Sequence, residues 1–383
     1  MTGTSGSTVK DMKTELEEKT ERVVRFLAEE GLGGVLLGAQ HNFAWLTGGG
    51  RSGIDLSREP GAGSLLVRAD GRRFVVANNI EAARLLAEEL DGYHWEPVEF
   101  DWTEEKANPA LPFERALALL EDGAVLGTDL PAGGGARVVE GAFARLRYQL
   151  TEQEIERLRA LGRDAGVMVG AVARGLEPGL TEREVARRAA DALAVVGAHS
   201  VVTLVAADER LKRYRHPVPT EARWEKVLMI VVCARRGGLI ASLTRIVSAG
   251  AVPDDLRRRT EAAARVNAAL YAATRPGATG GELFDVAVRA YAAEGFAGEE
   301  RLHHQGGATG YRTRDWVAHP RSEEKVLARQ AFAWNPSITG TKTEETCLAF
   351  KDRVEVVTAS PDWPAIPVEV AERSYALPGV LPL

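Results

Sequence analysis

The stretch AFAWNPSITGTKTEETCLAF, residues 331–350, constrains the chain more than any other. Two apolar, β-prone runs flank a turn rich in Pro, Ser, Gly and Thr, which is the pattern of a hairpin. Yet Asn335, Lys342, Thr343, Glu344, Glu345 and Thr346 place polar groups on strands otherwise suited to a core. A buried carboxylate is costly unless it is paired, hydrogen-bonded or bound to a metal. Any fold that hosts this hairpin must supply partners for those groups, so it marks the first place to look for a site.

The rest of the chain supplies elements of both kinds. After a tail expected to be disordered over residues 1–10, MKTELEEKTERVVRFLAEEGLGG puts Val23, Val24, Phe26 and Leu27 on one helical face and ends in glycines. GVLLG reads as a short buried strand, and NFAWLTGGGRSG as a strand entering a Gly-rich loop. GSLLVRADGRRFVVANNIEAARLLAEEL gives two strands around a D-G turn, then a helix. This alternation predicts one compact α/β domain over residues 11–149. Two long amphipathic helices follow, split by LEPGLTE, with capping-box starts at Thr151/Glu154 and Thr181/Glu184. Strands dominate from residue 199 in SVVTLVAA, VLMIVVCAR and GLIASLTRIVSAG, and a helix pair is expected at 253–275 and 280–295. The second domain is therefore placed at 150–383 and the fold class is α+β.

Composition narrows the partners. The 383 residues exceed one small domain, and a net charge of -6 argues against generic nucleic-acid or anionic-membrane binding. No apolar run approaches a membrane span, and the polar opening segment lacks the apolar core of a signal peptide, so a cytoplasmic setting is expected. Two cysteines, Cys233 and Cys347, make neither a disulfide framework nor a zinc spacing.

This order of parts resembles the creatinase, aminopeptidase P and methionine aminopeptidase superfamily. The landmarks are NFAWLTGG in the first domain and RHPVPT, GLIASLTRIVSAG, HHQGGATGY, WNPSI and TKTEET in the second. The resemblance implies a creatinase-like amino-terminal domain followed by a pita-bread catalytic domain. It also implies a dinuclear metal site of two Asp, one His and two Glu in the family's metallopeptidases, since bridging two cations needs anionic oxygen donors. In this sequence those positions fall on Val231, Ser242, Gly307, Asn335 and Glu344, and Glu344 alone keeps the ligand type. The expectation is thus a member with no dinuclear metal site, no cofactor and no aminopeptidase activity.

Creatinase itself is a metal-free member that hydrolyses a C–N bond in a guanidino compound with a histidine and carboxylates. His216 resembles its catalytic histidine, and an imidazole near neutral pH can take a proton from water and return it to a leaving nitrogen. The plainer alternative is a structural histidine beside Pro217. Glu344 matches the acidic position that binds the guanidinium, or else forms a buried ion pair with Arg245. In HHQGGATGYRTRDW the resemblance places Arg314 where the family often has a second histidine, and its planar fork suits a carboxylate. The glycines 306–307 allow close approach of a ligand. The remaining substrate-binding candidates are Arg215, Arg245, His303, His304, Asn335 and Lys342. Arg51 and Arg58 join them from a loop that, in creatinase-like dimers, reaches the partner's site. Cys233 or Cys347 could act as a thiol nucleophile with His216 as base, or simply fill the core.

Together these readings predict a metal-independent homodimeric enzyme that hydrolyses or rearranges an amide, amidine or guanidino C–N bond in a small carboxylate-bearing substrate. The alternatives are lyase or cyclase chemistry in the same site, or a non-catalytic pita-bread binding protein.

Overall fold

The computed structural model describes residues 9–90, 94–132 and 135–383. Most of the expected tail, residues 1–8, lies outside the described residues, and Val9 and Lys10 already belong to the first helix, Val9–Glu30. Two compact units result: one runs to Arg147 and adds Thr151–Glu154, and the other comprises Tyr148–Leu150 and Ile155–Leu383. Among the described residues no helix is long and apolar enough to cross a membrane.

The first unit is built on a mixed six-stranded sheet. Its strand Gly34–Ala39 runs antiparallel to Pro60–Arg68 and parallel to Leu126–Thr128. NFAWL, expected as a strand, is instead part of the helix Gln40–Leu46. Packing overrides the aromatic residues' preference for strands. As a helix the segment buries Asn42, Phe43, Ala44, Trp45 and Leu46, and sets Trp45 edge-on against Phe143 at 5.5 Å. Asn42 donates to Asp129 and Glu140 at 2.8 Å each, which satisfies its buried amide.

The second unit carries two sheets. One orders Val380–Pro382, Leu239–Ser248, Val227–Arg236 and His199–Ala207; the other orders Trp316–Val317, Gly306–Thr309, Gln330–Trp334, Glu345–Ala349 and Val354–Val356. Gln330–Trp334 and Glu345–Ala349 are antiparallel partners with Trp334 opposite Glu345, so the hairpin read from sequence forms. Its tip is itself a small ladder, with Ser337 opposite Lys342. The helices Glu152–Arg174 and Glu182–Val195 match the expected amphipathic pair, and both capping boxes close: Thr151 with Glu154, and Thr181 with Glu184. Asp254–Ala273 and Gly280–Ala293 supply the second helix pair.

Two glycines let the long helix approach the hairpin's support. A Cβ at Gly162 would lie 2.4 Å from the Val357 carbonyl oxygen, and one at Gly166 would lie 2.6 Å from the oxygens of Thr358 and Ala359. The Ser360 hydroxyl then donates to the Gly166 carbonyl at 2.6 Å. Backbone cannot yield as a flexible side chain does, so Gly166→Ala should destabilise the protein by about 1–3 kcal/mol, the usual cost of overpacking. Denaturant unfolding at fixed pH reads this directly; an unchanged midpoint would show that the helix can slide away.

Candidate active site

Strand register brings the candidate residues together. Val231 lies opposite Thr244 and Cys233 opposite Ser242, so these four share one face of the Val227–Arg236/Leu239–Ser248 pair. The hairpin docks along the backbone edge of Leu239–Ser248. The Thr346 hydroxyl accepts from the Ser242 amide at 2.7 Å and donates to its carbonyl at 3.0 Å. The Thr244 amide donates to the Glu344 carbonyl at 3.0 Å, which anchors the base of the turn that carries Glu344.

Both oxygens of Glu344 are engaged. Oε2 accepts from the Thr244 hydroxyl and from Lys342 Nζ, each at 2.9 Å, and Oε1 faces an Arg314 terminal nitrogen at 3.4 Å. Burial works to raise this carboxyl's pKa, but Lys342 and Arg314 outweigh it and hold the group below its ordinary value. Thr244 as a partner of Glu344 escapes a reading of the sequence alone. Its position two residues after Ser242 on the same strand is the available signal.

The next carboxylate points the other way. Glu345 pairs with Arg245 at 2.9 Å, so the ion pair weighed for Glu344 belongs to its neighbour. Arg245 also donates through Nε to Ser360 at 2.8 Å and through its terminal nitrogens to the carbonyls of Thr244 and Thr358 at 2.7 and 2.8 Å. It is buried, bonded through all three guanidinium nitrogens and on the opposite face of its strand from Thr244, and so does not join the candidate substrate-binding set. Burial pushes the Glu345 pKa up to about 7 against the pull of Arg245.

Three imidazoles complete the site. His216 Nε2 lies 3.1 Å from His303 Nε2 with the rings edge-on, and His303 stacks on His304 with centroids 4.4 Å apart. The hydrogen-bonding partner of His216 is thus another imidazole, one that the sequence alone does not pair with it. Burial, reinforced by Lys342, lowers the pKa of His216. Burial holds His303 at about 2, with Lys342 adding to it, and His304 at about 4, with Arg314 and Lys342 adding to it. Among the described residues, these are the one group of His, Cys, Asp or Glu whose donors converge as a metal would need, all within 4.8 Å of one another.

Several buried atoms at the site have no partner: Nδ1 of His303 and of His304, Nε of Arg314, Oδ1 of Asn335 and Oγ1 of Thr343. The Asn335 backbone amide is fixed by the Gln305 carbonyl at 3.0 Å. Lys342 is buried with its ammonium on Glu344.

The other candidates are placed differently. Arg215 is held by Glu299 at 2.5 Å and by Ser337 and Thr339 at 3.2 and 3.0 Å, which ties the hairpin tip to the segment before His216. Arg51 and Arg58 are exposed in the first unit. Burial raises the pKa of both Cys233 and Cys347, and Ser242 donates to the Cys233 sulfur at 3.2 Å. Neither thiol has the lowered pKa that favours a nucleophile, which counts against the thiol mechanism. The paired glycines admit backbone: a Cβ at Gly306 or Gly307 would lie 2.1 Å from the carbonyl oxygen of Ala333 or Trp316, respectively. The close approach they allow is taken by neighbouring strands, where the sequence suggested a ligand.

The second unit is the pita-bread architecture that the sequence implied. The chain belongs to the metallopeptidase family M24, whose sequence model matches residues 156–358. No curated protein sequence matches it. Among solved structures, a prolidase from Pyrococcus horikoshii aligns with a TM-score of 0.74 at 20% identity over 90% of this chain and 98% of its own. An Xaa-Pro dipeptidase from Bacillus anthracis gives 0.73 at 19% over 90% and 98%. The N-terminal domain of the FACT complex subunit SPT16 from Cicer arietinum gives 0.69 at 14% over 92% and 97%. Likeness at such identities shows the shared fold.

The histidines make a stability prediction. An unfolded chain takes up protons near pH 6.5 that folded His303 and His304 refuse until about 2 and 4, so their contribution to stability falls as pH drops below 6.5, while Glu345, raised to about 7, takes up its own proton in the folded state and offsets part of that loss. Each refused proton is worth about 1.4 kcal/mol per pH unit, so the pair should cost roughly 2–4 kcal/mol between pH 6.5 and 5. Urea unfolding across that range should show the loss, and His303→Gln/His304→Gln should flatten it. An equal slope in the double variant would refute the assignment.

Proposed function

We propose that the protein is a metal-independent hydrolase cleaving an amide, amidine or guanidino C–N bond in a small carboxylate-bearing molecule. One observation carries this reading. Where the family resemblance places metal ligands, Glu344 is balanced by Lys342 and Arg314, and an imidazole with a lowered pKa, His216, stands beside them. The positions assigned to the other ligands, Val231, Ser242, Gly307 and Asn335, supply no carboxylate or imidazole, and at Gly307 the Trp316 backbone leaves no room for a side chain. These residues do not fit the dinuclear centre.

The chemistry needs a base that is neutral before reaction. His216, with its pKa lowered, takes a proton from water as the oxygen attacks the reacting carbon; the same proton then goes to the nitrogen as the C–N bond breaks. His303 orients the ring through the 3.1 Å contact. Arg314, with Nε unpartnered, suits the substrate carboxylate, and Glu344 Oε1 keeps capacity for a cationic substrate nitrogen. Prolidase and Xaa-Pro dipeptidase among the structural neighbours favour a hydrolase. A binding role has the SPT16 likeness in its favour, since that neighbour is named as a complex subunit.

Turnover of N-acyl, amidino and guanidino acids decides between them. His216→Ala should lower kcat by about 10²–10⁴-fold while the melting temperature stays close to that of the parent, and chelation should leave the parent active. A fully active His216→Ala, or activity abolished by chelator, would remove the reading.

The same reading includes a homodimer in which the 47–58 loop carries Arg51 and Arg58 to the partner's site. Ile54 and Leu56 on that loop are 67% and 54% exposed, apolar surface of the kind an interface covers. Light scattering should give a dimer, and Ile54→Asp/Leu56→Asp should give a less active monomer; a parent monomer with full activity would count against it.

A further inference from the structure

We infer that Lys342 and Arg314 stand in, as fixed cations, for the charge two metal ions carry in the family's metallopeptidases, so that this site binds small oxyanions and repels divalent cations. The inference rests on the metal-independent reading above and extends it to the ligand's charge.

The geometry is that of a carboxylate with a cation at each oxygen. Lys342 Nζ sits 2.9 Å from Glu344 Oε2, and Arg314 faces Oε1 at 3.4 Å. Two cations against one carboxylate leave a positive balance, and the three neighbouring imidazoles, uncharged at neutral pH, do not offset it. Arg215 adds no charge because Glu299 cancels it.

Donor capacity points the same way. Arg314 Nε is buried and unpartnered, as are Nδ1 of His303 and His304, and a guanidinium edge is matched to the two oxygens of a planar anion. The same field works against the rival occupant, a metal ion on the three imidazoles. Their donors converge within 4.8 Å, but Lys342 and Arg314 both act on His216 and His304, and a dication there would be repelled by both. Carboxylates and phosphates share the chemistry of a small oxyanion, and separate probes tell them apart.

Isothermal titration of the full-length protein with oxalate, and separately with inorganic phosphate, tests this, followed by Co(II) with visible absorption as readout. Saturable binding of one anion is expected, with the anion that binds naming the source. Lys342→Met and Arg314→Gln should each weaken it about 10-fold or more, as loss of a charged hydrogen-bond partner does, while Lys342→Arg retains it. Lys351→Met, on an exposed bend, should leave it unchanged. The parent should give no Co(II) ligand-field bands. The inference is overturned if neither anion binds, if folded Lys342→Met and Arg314→Gln bind as tightly as the parent, or if Co(II) binds with bands that His304→Ala abolishes. Where a variant does not fold, the anion and Co(II) titrations of the parent still decide. A failed catalytic reading, seen as a fully active His216→Ala, would leave anion binding untouched, so the two failures are distinguishable.

Discussion

Two successive carboxylates, Glu344 and Glu345, are buried on one strand entry, and much of the second unit is arranged around them. Taking a charge out of water costs several kcal/mol, so each must meet a cation and further donors. Extended backbone sends successive side chains to opposite faces. Glu345 therefore meets Arg245 and Thr358 on one side, while Glu344 meets Thr244, Lys342 and Arg314 on the other. Thr244 and Arg245 are likewise adjacent on Leu239–Ser248, so a single register between this strand and the hairpin satisfies both carboxylates at once. A slip by one residue would bury two unmatched charges, which makes these pairs a guard on register.

The two networks differ in what they leave open. Around Arg245 the donors go to Ser360, to carbonyls and to Glu345, and the support from Gly162 and Gly166 brings residues 357–360 close enough to complete the set. Around Glu344, buried nitrogens of Arg314, His303 and His304 remain without partners. Buried polar groups are ordinarily satisfied, so unpaired ones gathered beside an ion pair mark the face with capacity for a ligand.

Much of this is legible in the chain. The capped helices, the strand runs and the hairpin follow from periodicity and turn chemistry, and the polar crowding at 331–350 locates the site. What escapes requires information that local sequence does not hold. NFAWL reads as a strand by propensity, but in three dimensions Phe143, Asp129 and Glu140 give its aromatic and amide groups partners in a helix. Arg245 reads as a substrate-binding candidate until strand register sets its side chain on the face opposite Thr244. Gly306 and Gly307 suggest close approach of a ligand because the sequence does not show which backbones press against them. The pairing of His216 with His303 joins segments far apart in the chain, and nothing in either one announces the other.

The cations that balance Glu344 also set the state of the His216 imidazole. An imidazole near a lone carboxylate tends toward its charged form, in which it has no lone pair for a proton. Here burial, Lys342 and Arg314 oppose that pull on His216, and Glu344 is the group acting the other way. The same ammonium lowers His303 and His304, so the ring in hydrogen-bond contact with His216 is uncharged as well. A metal centre would impose comparable conditions by placing positive charge among its ligands. In this chain the effect comes from side chains rooted in the hairpin and in the loop before Trp316, so the buried ion pair that stabilises the hairpin also keeps His216 able to accept a proton.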